Sequence, residues 1–322
     1  MSRVVFLFFS IILLQNSFAQ FDTNYVFMTR SKFVVYPLYE LSYSKINYDY
    51  KTNSGITNVS YATRNYNSIG IGASFYRLGF SLSYQLPFSD IDSLENQSAF
   101  SFRGGYSYKR FYGDLRLRRY KGLEQKIIDV DGVESVKIRK DMLFSQIGVN
   151  IIYFTSSKYS FDANFKNYNQ QIKSAFTFVA SAGYNIYNLD GNITVPKTTM
   201  VLNSIITRVN QNSIRLLPGF AFSVVYKDFY MSIFGLFGVS FNKSRVEFNN
   251  TNSIYYNFTP DFEYIATIGY NSKDFFVSLN YSFENDYAKI KNLYVGTRNN
   301  TLSIKIGKKI NSKYLGKLAK YL

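Results

Sequence analysis

Apolar and polar residues trade places at successive positions through most of this chain. A period of two is the mark of β-strands, whose side chains point alternately to opposite faces. In Ile69-Gly70-Ile71-Gly72-Ala73-Ser74-Phe75 the odd positions are apolar and the even ones small or polar. Leu78, Phe80, Leu82, Tyr84 and Leu86 alternate with Gly79, Ser81, Ser83 and Gln85. Phe100, Phe102, Gly104, Tyr106 and Tyr108 alternate with Ser101, Arg103, Gly105, Ser107 and Lys109. Thirteen such runs stand out: 33–51, 62–76, 78–87, 98–109, 111–120, 142–155, 158–168, 174–187, 213–226, 229–241, 259–271, 274–287 and 300–310. The body of the chain shows no comparable helical period.

Two architectures bury alternating strands. A soluble sandwich turns the apolar face inward; a transmembrane barrel turns it toward lipid and lines its lumen with the polar set. The runs are long enough for the ~9–11 residues that a tilted strand needs to cross a bilayer, against ~5–6 in an average sandwich strand. The polar face is rich in Gly, Ser and Asn, which suits a crowded interior. Tyr76, Tyr84, Tyr108, Tyr153, Tyr226 and Tyr270 recur at run ends, as interfacial aromatic girdles do. The expected fold is all-β, a single antiparallel transmembrane barrel of about 12–14 strands with long polar external loops. Turns near Arg77, Arg110 and Ser157 share one phase, and those near Lys227 and Lys273 fall out of it by one strand. A further strand within Thr199–Val209 would restore the phase at fourteen strands, and losing a weak run would leave twelve. The face of the first strand switches near Lys45, which predicts a bulge there.

The polar connections Pro87–Gln97, Lys121–Asp141, Asn188–Asn212, Asn242–Phe258 and Ala288–Asn299 read as external loops. Within the second, Asp131-Gly132 between two apolar stretches signals a hairpin ribbon. The first 19 residues read as a signal peptide. Arg3 precedes the apolar run Val4–Leu14, and Ser17-Phe18-Ala19 predicts cleavage after Ala19. Residues 20–310 then form the barrel of an outer-membrane protein, and 311–322 a basic tail. Tyr314, Leu315, Leu318, Tyr321 and Leu322 share one helical face of that tail, opposite Lys313, Lys317 and Lys320. It reads as a short interfacial helix or a frayed end.

Composition narrows the chemistry. The 322 residues include no His and no Cys, which removes His-dependent triads, imidazole bases, thiol nucleophiles and the usual zinc sites. Familiar enzymatic outer-membrane barrels use a catalytic His, so the expectation is a non-enzyme without cofactors. Lumenal carboxylates Asp114, Asp162, Glu263 and Glu284 could serve a hydrolase, but neutralising nearby bases is the commoner role. Gly70-x-Gly72 and Gly104-Gly105 lack the strand-to-helix setting of a nucleotide loop. The sharper feature is basic. Arg103, Arg116 and Arg118, with Lys109 and Asp114 beside them, share the polar face of two successive strands. They predict either a lumenal anion site or a set of structural salt bridges, and the frequency of filled small barrels favours the second. A formal charge of +16 is scattered rather than gathered on a nucleic-acid platform. It suits anionic outer-membrane lipid and lipopolysaccharide as partners, with the barrel-assembly machinery required for insertion.

Three segments carry a resemblance: Asn65 through Pro87, Tyr120-Lys121-Gly122, and Phe161-Asp162-Ala163-Asn164-Phe165 running on to Gln170-Gln171-Ile172-Lys173-Ser174-Ala175. Together they resemble the uncharacterised DUF4421 family of Bacteroidetes outer-membrane or secreted proteins, from about Tyr36 to Ile310. The resemblance implies an exported barrel and no assigned activity. The chain departs from the barrel habit of ending its last strand on an aromatic residue. The expected function is passive transport or envelope structure; the alternatives are a secreted soluble adhesin and a carboxylate hydrolase.

Overall fold

The computed structural model describes residues 21–29, 32–52, 55–63, 66–86, 98–128, 133–193, 206–248, 252–290 and 293–311. The signal segment, the tail from 312 and the whole Pro87–Gln97 connection lie outside them. After a short β1 (Val26–Phe27) come β2 (Lys32–Thr52), β3 (Gly55–Ala62), β4 (Tyr66–Phe75), β5 (Leu78–Gln85), β6 (Ser98–Tyr108), β7 (Phe111–Ile128) and β8 (Glu134–Phe154). A four-residue helix, α1 (Phe161–Asn164), and β9 (Gln170–Gln171) follow. The chain then runs through β10 (Ala175–Ile193), β11 (Ile206–Tyr226), β12 (Phe229–Phe248), β13 (Asn252–Asn271), β14 (Phe275–Ile290) and β15 (Leu293–Asn311). Every neighbouring pair is antiparallel, and β15 returns to β2, so the sheet closes into a barrel. In its lower half the ring has twelve strands: β2, β4 to β8, and β10 to β15. Closure leaves lipid no open edge.

The outward face explains why these residues form a membrane wall. On β12, Phe229, Met231, Ile233, Phe237, Val239 and Phe241 point out, then Lys243, Arg245 and Glu247 take over. β11 does the same, with Ile214, Leu216, Phe220, Val224 and Tyr226 below and Arg208, Asn210 and Asn212 above. A strand of about 20 residues is roughly twice what the bilayer needs. The wall therefore continues above the lipid, where its outside is polar. At the lower rim Tyr108, Tyr153, Tyr226 and Tyr270 form an aromatic girdle. Arg77 lies 4.8 and 4.9 Å over the rings of Tyr76 and Tyr108, and Lys227 lies 5.5 Å over Tyr226. Three two-residue turns close this end, each with its first residue at positive φ: Tyr76 (53°), Lys109 (54°) and Lys227 (57°).

Several expectations change. Residues 158–168 are no wall strand; they fold inward as α1 and its flanking coil. Without them the ring holds twelve strands and the turns at Arg77, Arg110, Lys227 and Lys273 fall at one end, so no extra strand is needed. Ile206–Val209, inside the stretch reserved for that strand, begins β11. The described parts of Asn188–Asn212, Asn242–Phe258 and Ala288–Asn299 are the upper halves of β10 to β15 rather than loops. Above the lipid both faces lose the apolar-out pattern while the backbone ladder goes on, so the strands were invisible to a lipid-facing period. The arms of the expected hairpin do pair, Ile128 with Glu134, while Asp131-Gly132 lies outside the described residues. Gly122 (φ 74°) stands at a slip of register inside β7 and does not end it.

The first strand has no bulge at Lys45. β2 holds one register against β15 from Lys32↔Asn311 to Tyr50↔Leu293. Ile46 and Tyr48 are buried inside, so the change of polarity reflects an apolar lumen higher up, not a flipped strand. The bulge belongs to the partner: three residues separate Ala62 from Tyr66 where two separate Ser42 from Lys45. That is also where the wall branches. β4 goes on to pair with β5, whereas β3 pairs directly with β7 (Ala62↔Glu124), skipping the β5–β6 hairpin. The wall thus narrows from twelve strands to ten.

Inside, three layers are stacked. At the lower mouth, residues 156–174 form a plug. Tyr159, Phe161 and Phe165 pack against Ile152, Phe154, Val179, Leu217 and Phe234. Full burial of each such ring contributes about 1.5–3 kcal/mol. Asn271 donates from Nδ2 to the carbonyls of Ala163 (3.1 Å) and Asn169 (2.9 Å), and β1 pairs with β9, strapping the plug to the N-terminal segment. The narrowed upper end is filled by Ile46, Tyr48, Val59, Tyr61, Leu123, Met142, Phe144, Leu189, Val209 and Val246. Between these apolar layers lies a charged one.

Candidate functional site

Inward positions of β6, β7, β11, β13 and β14 bring four guanidinium groups and four carboxylates to one level. Arg103 and Arg116 face each other directly across the β6–β7 ladder, and Arg118 is the next inward residue. The three arginines predicted to meet do meet. Arg116 is 4% exposed, and each of its nitrogens has a different carboxylate. Nε donates to Asp114, Nη1 to Glu284, and Nη2 to Glu263 at 2.6 Å. Arg118 Nη1 donates to Glu284 Oε2 at 2.6 Å and to Gln146 Oε1 at 3.0 Å. Arg103 Nε donates to Asp114 Oδ1 at 2.8 Å, with Tyr112 OH 3.1 Å from the same oxygen.

The belt continues to β11, where Arg215 grips Asp261 with Nε (2.5 Å) and Nη2 (2.8 Å) and sits 3.6 Å from Glu263. Arg215 and Asp261 were missed in the sequence although the signal was present. Each alternates with apolar neighbours (Ile214 and Leu216; Pro260 and Phe262) and so had to point inward. The charges of Arg103, Arg116, Arg118 and Arg215 balance those of Asp114, Asp261, Glu263 and Glu284. A buried guanidinium is tolerated at this depth because its donors are satisfied bidentately or by several acceptors.

Two expected members sit elsewhere. Lys109 is not in the belt: its positive-φ turn carries it out of the strand to the lower rim, where Nζ lies 5.4 Å over the Tyr108 ring. Asp162 belongs to the plug rather than to a strand face. It accepts from Ser107 Oγ at 2.6 Å and pairs with Lys166 Nζ at 3.0 Å.

Beside the belt a cavity of about 110 Å³ remains. One wall is β4 to β6, whose inward residues there are Ser74, Gly79, Ser81, Ser101 and Gly105 around the single long side chain of Arg103. The adjoining stretch of wall, from β2, β14 and β15, brings Glu40, Asn280, Ser303 and Lys305. Small residues on β4 and β6 also seat rings. A Cβ on Gly72 would lie 2.1 Å from Tyr36 Cζ, its direct cross-strand partner, and one on Gly105 would lie 2.4 Å from Tyr112 Oη.

The fold is similar to that of the outer membrane protease OmpT from Escherichia coli, at 8% identity over 90% of this chain and 100% of that one, with a TM-score of 0.44. It is also similar to the translocator domain of the autotransporter NalP from Neisseria meningitidis. That likeness has 11% identity, 88% and 89% of the two chains covered, and a TM-score of 0.39. Both likenesses are of fold alone. No curated protein matches the chain. Residues 20–309, which hold the plug, the belt and nearly every strand, match the family described as domain of unknown function DUF4421, and the chain belongs to that family.

Proposed function

We propose that this protein is exported by its first 19 residues and serves in the outer membrane as a closed, non-enzymatic barrel of the envelope, not as an open passive pore. The observation that carries this reading is the filled lumen: plug, charged belt and upper apolar layer succeed one another along the axis. Of the carboxylates that a hydrolase would use, Asp114, Glu263 and Glu284 are engaged by arginines and Asp162 by Lys166, which also supports a structural role for the belt over a free anion site or selectivity ring. Outer-membrane lipid is the partner of the apolar band. Lipopolysaccharide is the partner of the basic side chains just above it, Arg208, Lys243 and Arg245. Insertion falls to the barrel-assembly machinery.

Planar-bilayer recording tests the reading. Wild-type protein is expected to give no steady conductance, and a variant with residues 158–171 replaced by a Gly-Ser linker is expected to conduct. Stable, sized channels from the intact protein would overturn the closed barrel. Arg116→Ala and Arg118→Ala channels with altered ion preference would restore the anion constriction. Mass spectrometry of the mature N-terminus should find Gln20.

A further inference from the structure

With the belt balanced, two opposite charges are left over in the neighbouring cavity. Glu40 on β2 stands directly across from Ser303 on β15, and Lys305 is the next inward residue of β15 below it. At such diagonal cross-strand positions side chains are within reach of each other. Yet among the described residues no ion pair within 4.0 Å joins them. Among the described residues Glu40 accepts from Ser83 Oγ, at 2.5 Å, and Lys305 Nζ donates to the Phe165 carbonyl, at 3.3 Å, and lies 5.8 Å over the Tyr36 ring, with no carboxylate beside it. Both line the cavity, as does Arg103, whose side chain keeps 36% exposure after meeting Asp114.

Two further polar atoms point the same way. Ser74 and Asn280 are among the residues around this cavity, and their buried Oγ and Oδ1 have no hydrogen-bond partner, on residues only 1% and 6% exposed. Orphaned groups at that burial are destabilising unless something polar meets them. In comparable measure a single water needs ~10–15 Å³, so about 110 Å³ admits a small molecule or several waters. A simple anion would satisfy Lys305 and Arg103 but would face the Glu40 carboxylate; a simple cation would face the reverse. A molecule bearing both charges meets all three.

We propose that this cavity is a binding site for a small zwitterion of amino-acid size, its carboxylate set against Lys305 and Arg103 and its ammonium against Glu40. Ser74 and Asn280 supply the remaining polar contacts. The glycines and serines of β4 to β6 leave the room that the ligand fills. This goes beyond the closed-barrel reading and does not depend on it, since occupancy and conductance are measured separately.

Isothermal titration of the full-length barrel in detergent micelles with glycine, L-serine and L-glutamine tests the site, using acetate and methylammonium as single-charge controls. The expected result is saturable binding of at least one zwitterion, at least tenfold tighter than either control. Lys305→Gln and Glu40→Gln, checked for folding by heat-modifiable gel mobility, should each weaken that binding tenfold or more. Acetate binding as tightly as the zwitterions would overturn the proposal in favour of an anion site. No saturation by any of the three at 100 millimolar would overturn it in favour of a water-filled cavity. Both refutations come from the wild-type protein and so survive a variant that fails to fold.

Discussion

Replacing Arg116 by Met tests whether the charged belt holds the barrel together. Met keeps much of the length and apolar bulk, so the change removes charge and donors rather than volume. Breaking a buried ion pair by deleting one partner typically costs about 3–5 kcal/mol, because the other charge is left buried without compensation. Arg116 serves three carboxylates, and naive addition would give about three times that figure. The geometry argues against adding. Asp114 keeps Arg103 at 2.8 Å, Glu284 keeps Arg118 at 2.6 Å, and Glu263 keeps Arg215 at 3.6 Å. None of the three is orphaned, so the expected loss is about 3 kcal/mol, the low end for a single broken pair. Arg118→Met removes one of two partners of Glu284 from a more accessible site and should cost less, about 1–2 kcal/mol. Urea titration of barrels folded into liposomes, read by heat-modifiable gel mobility, gives both numbers. Arg116→Met within about 0.5 kcal/mol of wild type, or no worse than Arg118→Met, would refute the belt as a stabilising network.

Gly72→Ala should cost about 1–3 kcal/mol by driving the Tyr36 ring off its seat. Adding Tyr36→Ala should recover part of that loss, and strict additivity in the urea midpoints would exclude the contact. Val149→Arg, on the lipid face of β8 and 47% exposed, should cost about 2–4 kcal/mol. Lys243→Ala, above the band, should stay within about 0.5 kcal/mol, and equal costs would misplace the lipid boundary. On the upper extension, Arg139 donates to Asp141 and holds its carboxyl below the ordinary 3.8. Stability from this pair is therefore complete above that value and lost as pH falls through the lowered one. Asp141 is half exposed, so the contribution is under about 1 kcal/mol, and Asp141→Asn should flatten the acid limb of urea midpoint against pH.

The lipid-facing half of the fold was legible because one physical rule, apolar outward at every second residue, acts on it without competition. Leu78, Phe80, Leu82 and Tyr84 could face nothing but hydrocarbon. The upper half was not legible for the opposite reason. There water replaces lipid outside and apolar residues fill the lumen, so Ile46 and Tyr48 mimic a strand that has changed face. The plug misled through coincidence: Tyr159, Phe161, Ala163 and Phe165 alternate with polar residues as a strand would. They do so because a short irregular segment must satisfy ring packing and hydrogen bonds in a confined space. At the belt, Arg103, Arg116 and Arg118 could be placed together from adjacent runs. Their pairing with Glu263 and Glu284, and through Glu263 their link to Arg215, needed the far side of the lumen, which no local period encodes.

Arg116 reaches Glu263 and Glu284 across sequence separations of 147 and 168 residues, and its one local carboxylate partner is Asp114 on the same strand. The cross-lumen salt bridges therefore require β7 and the β13–β14 hairpin to face each other inside one wall. A half-assembled cylinder would leave Arg116 with Asp114 alone, a penalty relieved once β13 and β14 take their places. The charges in the middle of the lumen thus favour a finished cylinder over a partial one, a latch whose bolt and keeper come from distant stretches of the polypeptide.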